Sequence, residues 1–213
     1  MSVTVLQQRI REKKTPLALG LRPEPDKLSP KILKNFTDMF GPGSMAEAEA
    51  LRYHGTTLLD AAAEKLPAVM LHGASYLRYG MMGADVLANL ISAAHAKGLY
   101  VILGMGAEEP ALWQSYGADA ITVAPYMGSD CCDAGEQAVF ALVRTCNKSG
   151  GEVQNLMAGD RPVSGGGGAD GPPRRVSGGG QRVQSGYPGR APPVSQVLPA
   201  AAGVRWRERR PRL

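Results

Sequence analysis

Two adjacent carboxylates, a histidine beyond an apolar run and three thiols are the side chains of this chain whose types and spacing could do chemistry. Glu108-Glu109 could form an acid pair or hold a metal. Neighbouring glutamates at a helix start more often serve the helix dipole. His72 follows Ala68-Val69-Met70-Leu71 and has the titration range of a general base near neutral pH. The sequence offers it no nucleophile and no orienting acid, so a structural histidine is the expectation. His54 and His95 fall within predicted helices, as surface or packing residues. Cys131-Cys132 and Cys146 have neither zinc-site spacing nor the number for a disulfide framework. Small, half-buried thiols are expected, in a reducing compartment. Gly104-Met105-Gly106 is too short for a dinucleotide loop. No metal and no cofactor is therefore expected.

Alternating helix and strand signals must position these residues. Residues 2–14 form an amphipathic helix through Val3, Leu6 and Ile10. Residues 17–21 are a short apolar run ending before Pro23. Ser29-Pro30 is a helix start, with Ile32, Leu33, Phe36 and Phe40 on one face. Ser44-Met45-Ala46-Glu47 has the pattern of a capping box opening a helix to about Lys65. Strands are predicted at 68–71, 100–103, 120–123 and 139–143, and a strong helix at 84–97 with Gly98 as its stop. A short helix is expected between Pro110 and Tyr116. Tyr76, Tyr79 and Met81-Met82 are expected to pack. Strands without polar alternation, separated by helices, predict an α/β fold with about five parallel strands. Such an array is an open sheet or part of a (β/α)8 barrel. In either, chemistry belongs at the strands' C-terminal ends.

The charge is unevenly spread over the 213 residues. Residues 1–163 carry 15 Lys+Arg against 17 Asp+Glu, a net of −2. Residues 164–213 carry 9 Arg and no Lys against Asp170 and Glu208, so the whole +5 excess sits there. With 11 Gly, 7 Pro, no Ile and no Phe, that stretch cannot bury enough apolar surface to offset its ordering entropy. The boundaries are thus an incomplete barrel-like domain over 1–163 and a disordered Gly/Pro/Arg-rich tail over 164–213. Arginine without lysine among Gly, Pro and Ala is what a shifted frame in GC-rich DNA encodes, and this is the favoured origin of the tail. A basic arm for nucleic acid is the competing reading, and nucleic acid is not the expected partner. No run of about 18 apolar residues is present, which argues against a membrane-spanning helix. The charged N-terminus is unlike a secretory signal, so a cytoplasmic location is expected.

Between residues 15 and 163 the sequence resembles the orotidine 5′-phosphate decarboxylase family in its longer bacterial form. The resemblance rests on Leu19-Gly20-Leu21-Arg22-Pro23, on Leu66-Pro67-Ala68-Val69 with Tyr76 and Tyr79-Gly80, and on Lys97-Gly98-Leu99-Tyr100-Val101-Ile102. It continues through Gly117-Ala118-Asp119-Ala120-Ile121-Thr122-Val123, Pro125-Tyr126-Met127-Gly128-Ser129-Asp130 and Val139-Phe140-Ala141-Leu142-Val143-Arg144-Thr145 with Asn147. Gln154-Asn155-Leu156-Met157 and Gly159-Asp160-Arg161-Pro162-Val163 complete it. The resemblance implies a (β/α)8 barrel, a homodimer, and cofactor-free conversion of orotidine 5′-phosphate to UMP and CO2. It also implies Thr122, Pro125, Thr145 and Asn147 as substrate-binding positions.

The departures fall on the charges. A carbanion forms when CO2 leaves, and catalysis requires a cation aimed at that carbon, held by carboxylates. Where the family has its first-strand aspartate this chain has Arg22, and Met70 replaces the second-strand lysine. Gly104 and Gly106 stand where the third strand supplies an aspartate and the catalytic lysine. Glu109 is the one surviving acidic candidate. An impaired or inactive enzyme is the expectation, with a catalytically dead binding or dimerising relative, or a nonfunctional product, as the alternative. Five strands cannot close an eight-stranded barrel, so the body is expected to have open edges.

Overall fold

The computed structural model describes residues 3–24, 28–107, 114–124, 137–142, 148–158 and 161–162. The first helix, α1, is Val3–Lys13, followed by β1 at Ala18–Leu21, α2 at Pro30–Phe40 and α3 at Ser44–Ala63. Next come β2 at Ala68–His72, α4 at Gly73–Leu77, α5 at Gly80–Ala96 and β3 at Tyr100–Ala107. Then follow β4 at Ala120–Val123, β5 at Ala138–Ala141, α6 at Gly150–Gln154 and a two-residue ladder of β6, Met157–Ala158, with β7, Arg161–Pro162.

Strands β1 to β5 make one sheet in sequence order, and every neighbouring pair is parallel. Parallel neighbours need crossover connections, which α2 and α3 provide between β1 and β2, and α4 and α5 between β2 and β3. The alternation of side chains along each strand divides the apolar residues between two faces. Leu21, Val69, Leu71, Val101, Leu103, Ile121 and Val123 face α3 and α5, where Leu59, Val86, Leu87, Leu90, Ile91 and Ala94 complete the larger core. Ala68, Tyr100, Ile102, Ala120 and Ala138 face the other way, toward Leu6 of α1, with Ala18, Met70 and Phe140 beside them. The two-face burial explains the continuous apolar runs. It makes the second face the inner wall of a partial barrel, closed at its base by α1.

Basic residues fix α1 in that position. Arg9 donates to the carbonyl of Gly98 at the end of α5, and Lys13 Nζ donates to the carbonyls of Ala63 and Glu64 at the end of α3, 3.2 and 3.0 Å away. Cations at helix C-termini satisfy free carbonyls and the dipole together. The bonds are exposed, so Lys13→Ala is expected to cost only about 0.5–1 kcal/mol by urea unfolding, and less at high salt.

Local details differ from the sequence expectations. The capping box does not form: Ser44 is already the first helical residue, Gly43 is the cap, and no side chain caps α3. Glu47 instead donates its own N–H to the Gly43 carbonyl. Helix α5 begins four residues early, at Gly80, because α4 turns the chain directly after β2. The Met81-Met82 pair, expected to pack, is exposed at 85% and 44%. Tyr76 and Tyr79 do pack, Tyr76 in the larger core and Tyr79 against the cluster of Leu28, Ala50 and Leu51. Strand β3 runs to Ala107, four residues past the predicted end, with its register to β4 shifting between Leu103 and Ala107. That irregularity carries Gly104 and Gly106 within the strand, not in the loop the sequence suggested.

Two phenols sit deep in these cores. Burial pushes the hydroxyl of Tyr76 well above its ordinary range. For Tyr100 burial is again the main cause, with the charge of Asp119 adding to it and that of Arg9 opposing. The folded-state pKa lies above the unfolded one, so each contribution is complete below about pH 10 and is lost as pH rises beyond it. Tyr76→Phe should flatten the alkaline limb of the stability curve. An unchanged slope between pH 9 and 11 would show that Tyr76 ionises freely in the folded protein.

Candidate active site

Strand register places the inner-face residues in rows. Gly20, Met70, Ile102, Ala120 and Ala138 are linked by strand register into one row. Above it, His72 pairs with Gly104, and Thr122 with Phe140. No residue of these rows carries a permanent charge. Thr122 is buried, while Met70 and His72 are half-buried. His72 also caps the start of α4 through its backbone position.

The two positions where lysine and aspartate were expected are in contact with each other. A Cβ built on Gly104 would lie 2.6 Å from Met70 Cε and 3.7 Å from His72 Nδ1. The thioether therefore occupies the space above Gly104. Arg22 leaves the end of β1 toward solvent, 68% exposed, with Nε 3.5 Å from Glu24 Oε1. An exposed pair of this kind is screened and contributes little. Lys148 is exposed as well. Glu109, Pro125, Thr145 and Asn147 lie outside the described residues, as do Glu108, Cys131, Cys132, Cys146 and the region from 164 onward. Of the substrate-binding positions, only Thr122 is therefore placed. Among the described residues no group of three His, Cys, Asp or Glu side chains could hold a metal, and no helix is long and apolar enough to cross a membrane.

The buried carboxylate of the sheet does structural work at its opposite end. Asp119 is 3% exposed. Its Oδ2 accepts the Val101 N–H at 2.8 Å and lies 3.1 Å from His95 Nε2. Its backbone bonds to Val101 on one side and Ala138 on the other. One residue thus ties β3, β4, β5 and α5 together. This role was missed in the sequence, although an acid directly before the apolar run 120–123 was its visible signal; His95, read as surface or packing, is its partner. Asp119→Ala leaves the Val101 N–H without its acceptor, and a loss of about 1–3 kcal/mol is expected in denaturant titration. Asp119→Asn keeps an acceptor and should lose less.

No family model matches the chain. Curated relatives do. The orotidine 5′-phosphate decarboxylase of Thermomicrobium roseum is 29% identical over 167 residues, which are 73% of this chain and 55% of that protein. That of Rhodopirellula baltica is 29% identical over 169 residues, 68% of this chain and 55% of the relative. That of Natronomonas pharaonis is 31% identical over 170 residues, 73% and 57% of the two chains. Among solved structures, the orotidine monophosphate decarboxylase of Leishmania donovani superposes with a TM-score of 0.61 at 26% identity, covering 78% of this chain and 63% of that one. The chain thus spans little more than half the length of the curated relatives it matches. The parallel five-stranded sheet and the shared sequence lead to the same conclusion: this chain is a homologue of the orotidine 5′-phosphate decarboxylases, carrying part of their barrel-like fold.

Proposed function

We propose that this chain keeps part of the decarboxylase scaffold without its catalysis. The relatives' names supply the reaction class: loss of the carboxylate from orotidine 5′-phosphate as CO2, the electron pair staying on the ring carbon until a proton arrives to give UMP. Both steps call for a positive group at the reacting carbon. The observation that carries the reading is the apolar pairing of Met70 with Gly104 on the inner face, where the resemblance puts charged residues. Arg22, the nearest replacement by sequence, points to solvent.

A binding role for the strands' C-terminal ends is tested with UMP. A ligand that binds only the folded state raises the melting temperature. We expect no shift at millimolar UMP, and a concentration-dependent rise would make the chain a nucleotide-binding relative. The dimerising alternative draws on the exposed side chains Met39, Phe40, Met45 and Tyr53 along α2 and α3. Sedimentation at micromolar concentration decides between monomer and dimer. For residues 164–213 the proposal is a shifted frame. Translating the neighbouring frame beyond the Val163 codon should uncover apolar strand patterns and a glycine-rich phosphate loop, and their absence would leave the tail as genuine sequence.

A further inference from the structure

The geometry points to a size-matched pair on the inner face, in which Met70 fills the space a side chain at residue 104 would need and so determines which side chains that position can carry. Met70 and Gly104 are diagonal neighbours. Register sets Met70 opposite Ile102 and His72 opposite Gly104, an offset of two residues that a long side chain spans. A Cβ on Gly104 would meet Met70 Cε at 2.6 Å, the Leu71 carbonyl oxygen at 3.4 Å and His72 Nδ1 at 3.7 Å. Only the first of these is closer than ordinary contact. The obstruction at 104 is thus the methyl end of one flexible side chain, not the backbone.

Residue 104 has no other need of glycine. Its φ is not in the left-handed region, and it lies within β3, where glycine is a weak strand former. Take Met70 away and a β-branched residue at 104 should suit the strand. Keep Met70 and the same residue must push the thioether out of the row formed with Ile102 and Ala120. The two departures from the family pattern are then one change: space vacated at 104 is occupied from 70. This inference rests on reading these inner-face positions as the family's site with its charges gone. It adds that an acid restored at 104 alone meets the thioether of Met70, and is accommodated only when residue 70 is changed as well.

A thermodynamic cycle on the full chain tests the pair, using the parent, Met70→Ala, Gly104→Val and the double variant, with melting temperature as the readout. Gly104→Val is expected to lower the melting temperature by about 3–8 °C beside Met70. In the Met70→Ala background it is expected to leave it unchanged or raise it. The same shift in both backgrounds, within about 1 °C, would overturn the pairing. If Gly104→Val alone fails to fold, recovery of folded protein in the double variant supports the pair and failure to recover refutes it. Orotidine 5′-phosphate turnover by the parent is read separately, so the pairing and the proposed loss of catalysis can fail independently.

Discussion

Purified protein incubated with orotidine 5′-phosphate is expected to release CO2 no faster than the buffer does. The argument is electrostatic. A preorganised group aimed at developing charge is worth about 10²–10³ in turnover when a single donor is removed. Here Arg22, Met70, Gly104 and Gly106 all stand where the resemblance places charged groups. Met70 and Gly104 are in apolar contact, and Arg22 is 68% exposed beside Glu24. Groups acting as one unit do not add, so the joint loss is not the product of four. Even the loss of one cation at the carbanion removes roughly 3–4 kcal/mol of transition-state stabilisation. The check is UMP formation followed by absorbance and by chromatography over hours at high enzyme concentration. Turnover within about 10²-fold of an ordinary family member would exceed what the loss of even one such group permits, and would mean that another cation serves the site.

The largest structural effect is expected at Gly83. Helix α4 is only five residues long and turns straight into α5. At the turn the two pack so closely that a Cβ on Gly83 would sit 1.8 Å from the Tyr76 carbonyl oxygen and 2.8 Å from its carbon. Both are backbone atoms and cannot swing aside, unlike the thioether at Gly104. Gly83→Ala must therefore part α4 from α5 and disturb Tyr76, 2% exposed in the larger core. Overpacking in rigid surroundings costs about 1–3 kcal/mol and sometimes more, and the upper end is expected here. Against a total stability of about 5–15 kcal/mol, that is a substantial share. Urea unfolding of the variant measures it, and a midpoint equal to the parent's would show that α4 is not held against α5.

The parallel α/β sheet was legible because burial on both faces leaves uninterrupted apolar runs, as in Ala68-Val69-Met70-Leu71 and Ala120-Ile121-Thr122-Val123. The sequence leaves strand order open, since the runs and helices alone fit an open sheet as well as part of a barrel. The end of β3 was not legible. Gly104 and Gly106 have the composition of a loop, and only pairing with β2 and β4 holds them extended. The capping box at Ser44 failed for a similar reason: Gly43, with φ at 151°, starts the helix one residue earlier than a serine cap would. At the candidate site, the resemblance alone assigns the changed positions. The sequence could not show that Met70 reaches Gly104, since the contact runs between neighbouring strands. The role of Asp119 was hidden in the same way, because its partners Val101 and His95 come from other elements.

The anchoring of α1 has a consequence for synthesis. Arg9 finds its acceptor on Gly98, 89 residues further along the chain. A ribosome adding about 5–20 residues per second takes roughly 4–18 s to make that stretch. Throughout that interval α1 lacks this anchor. The nascent chain therefore offers the apolar side of α1, with Leu6, to chaperones well before β3 exists to receive it.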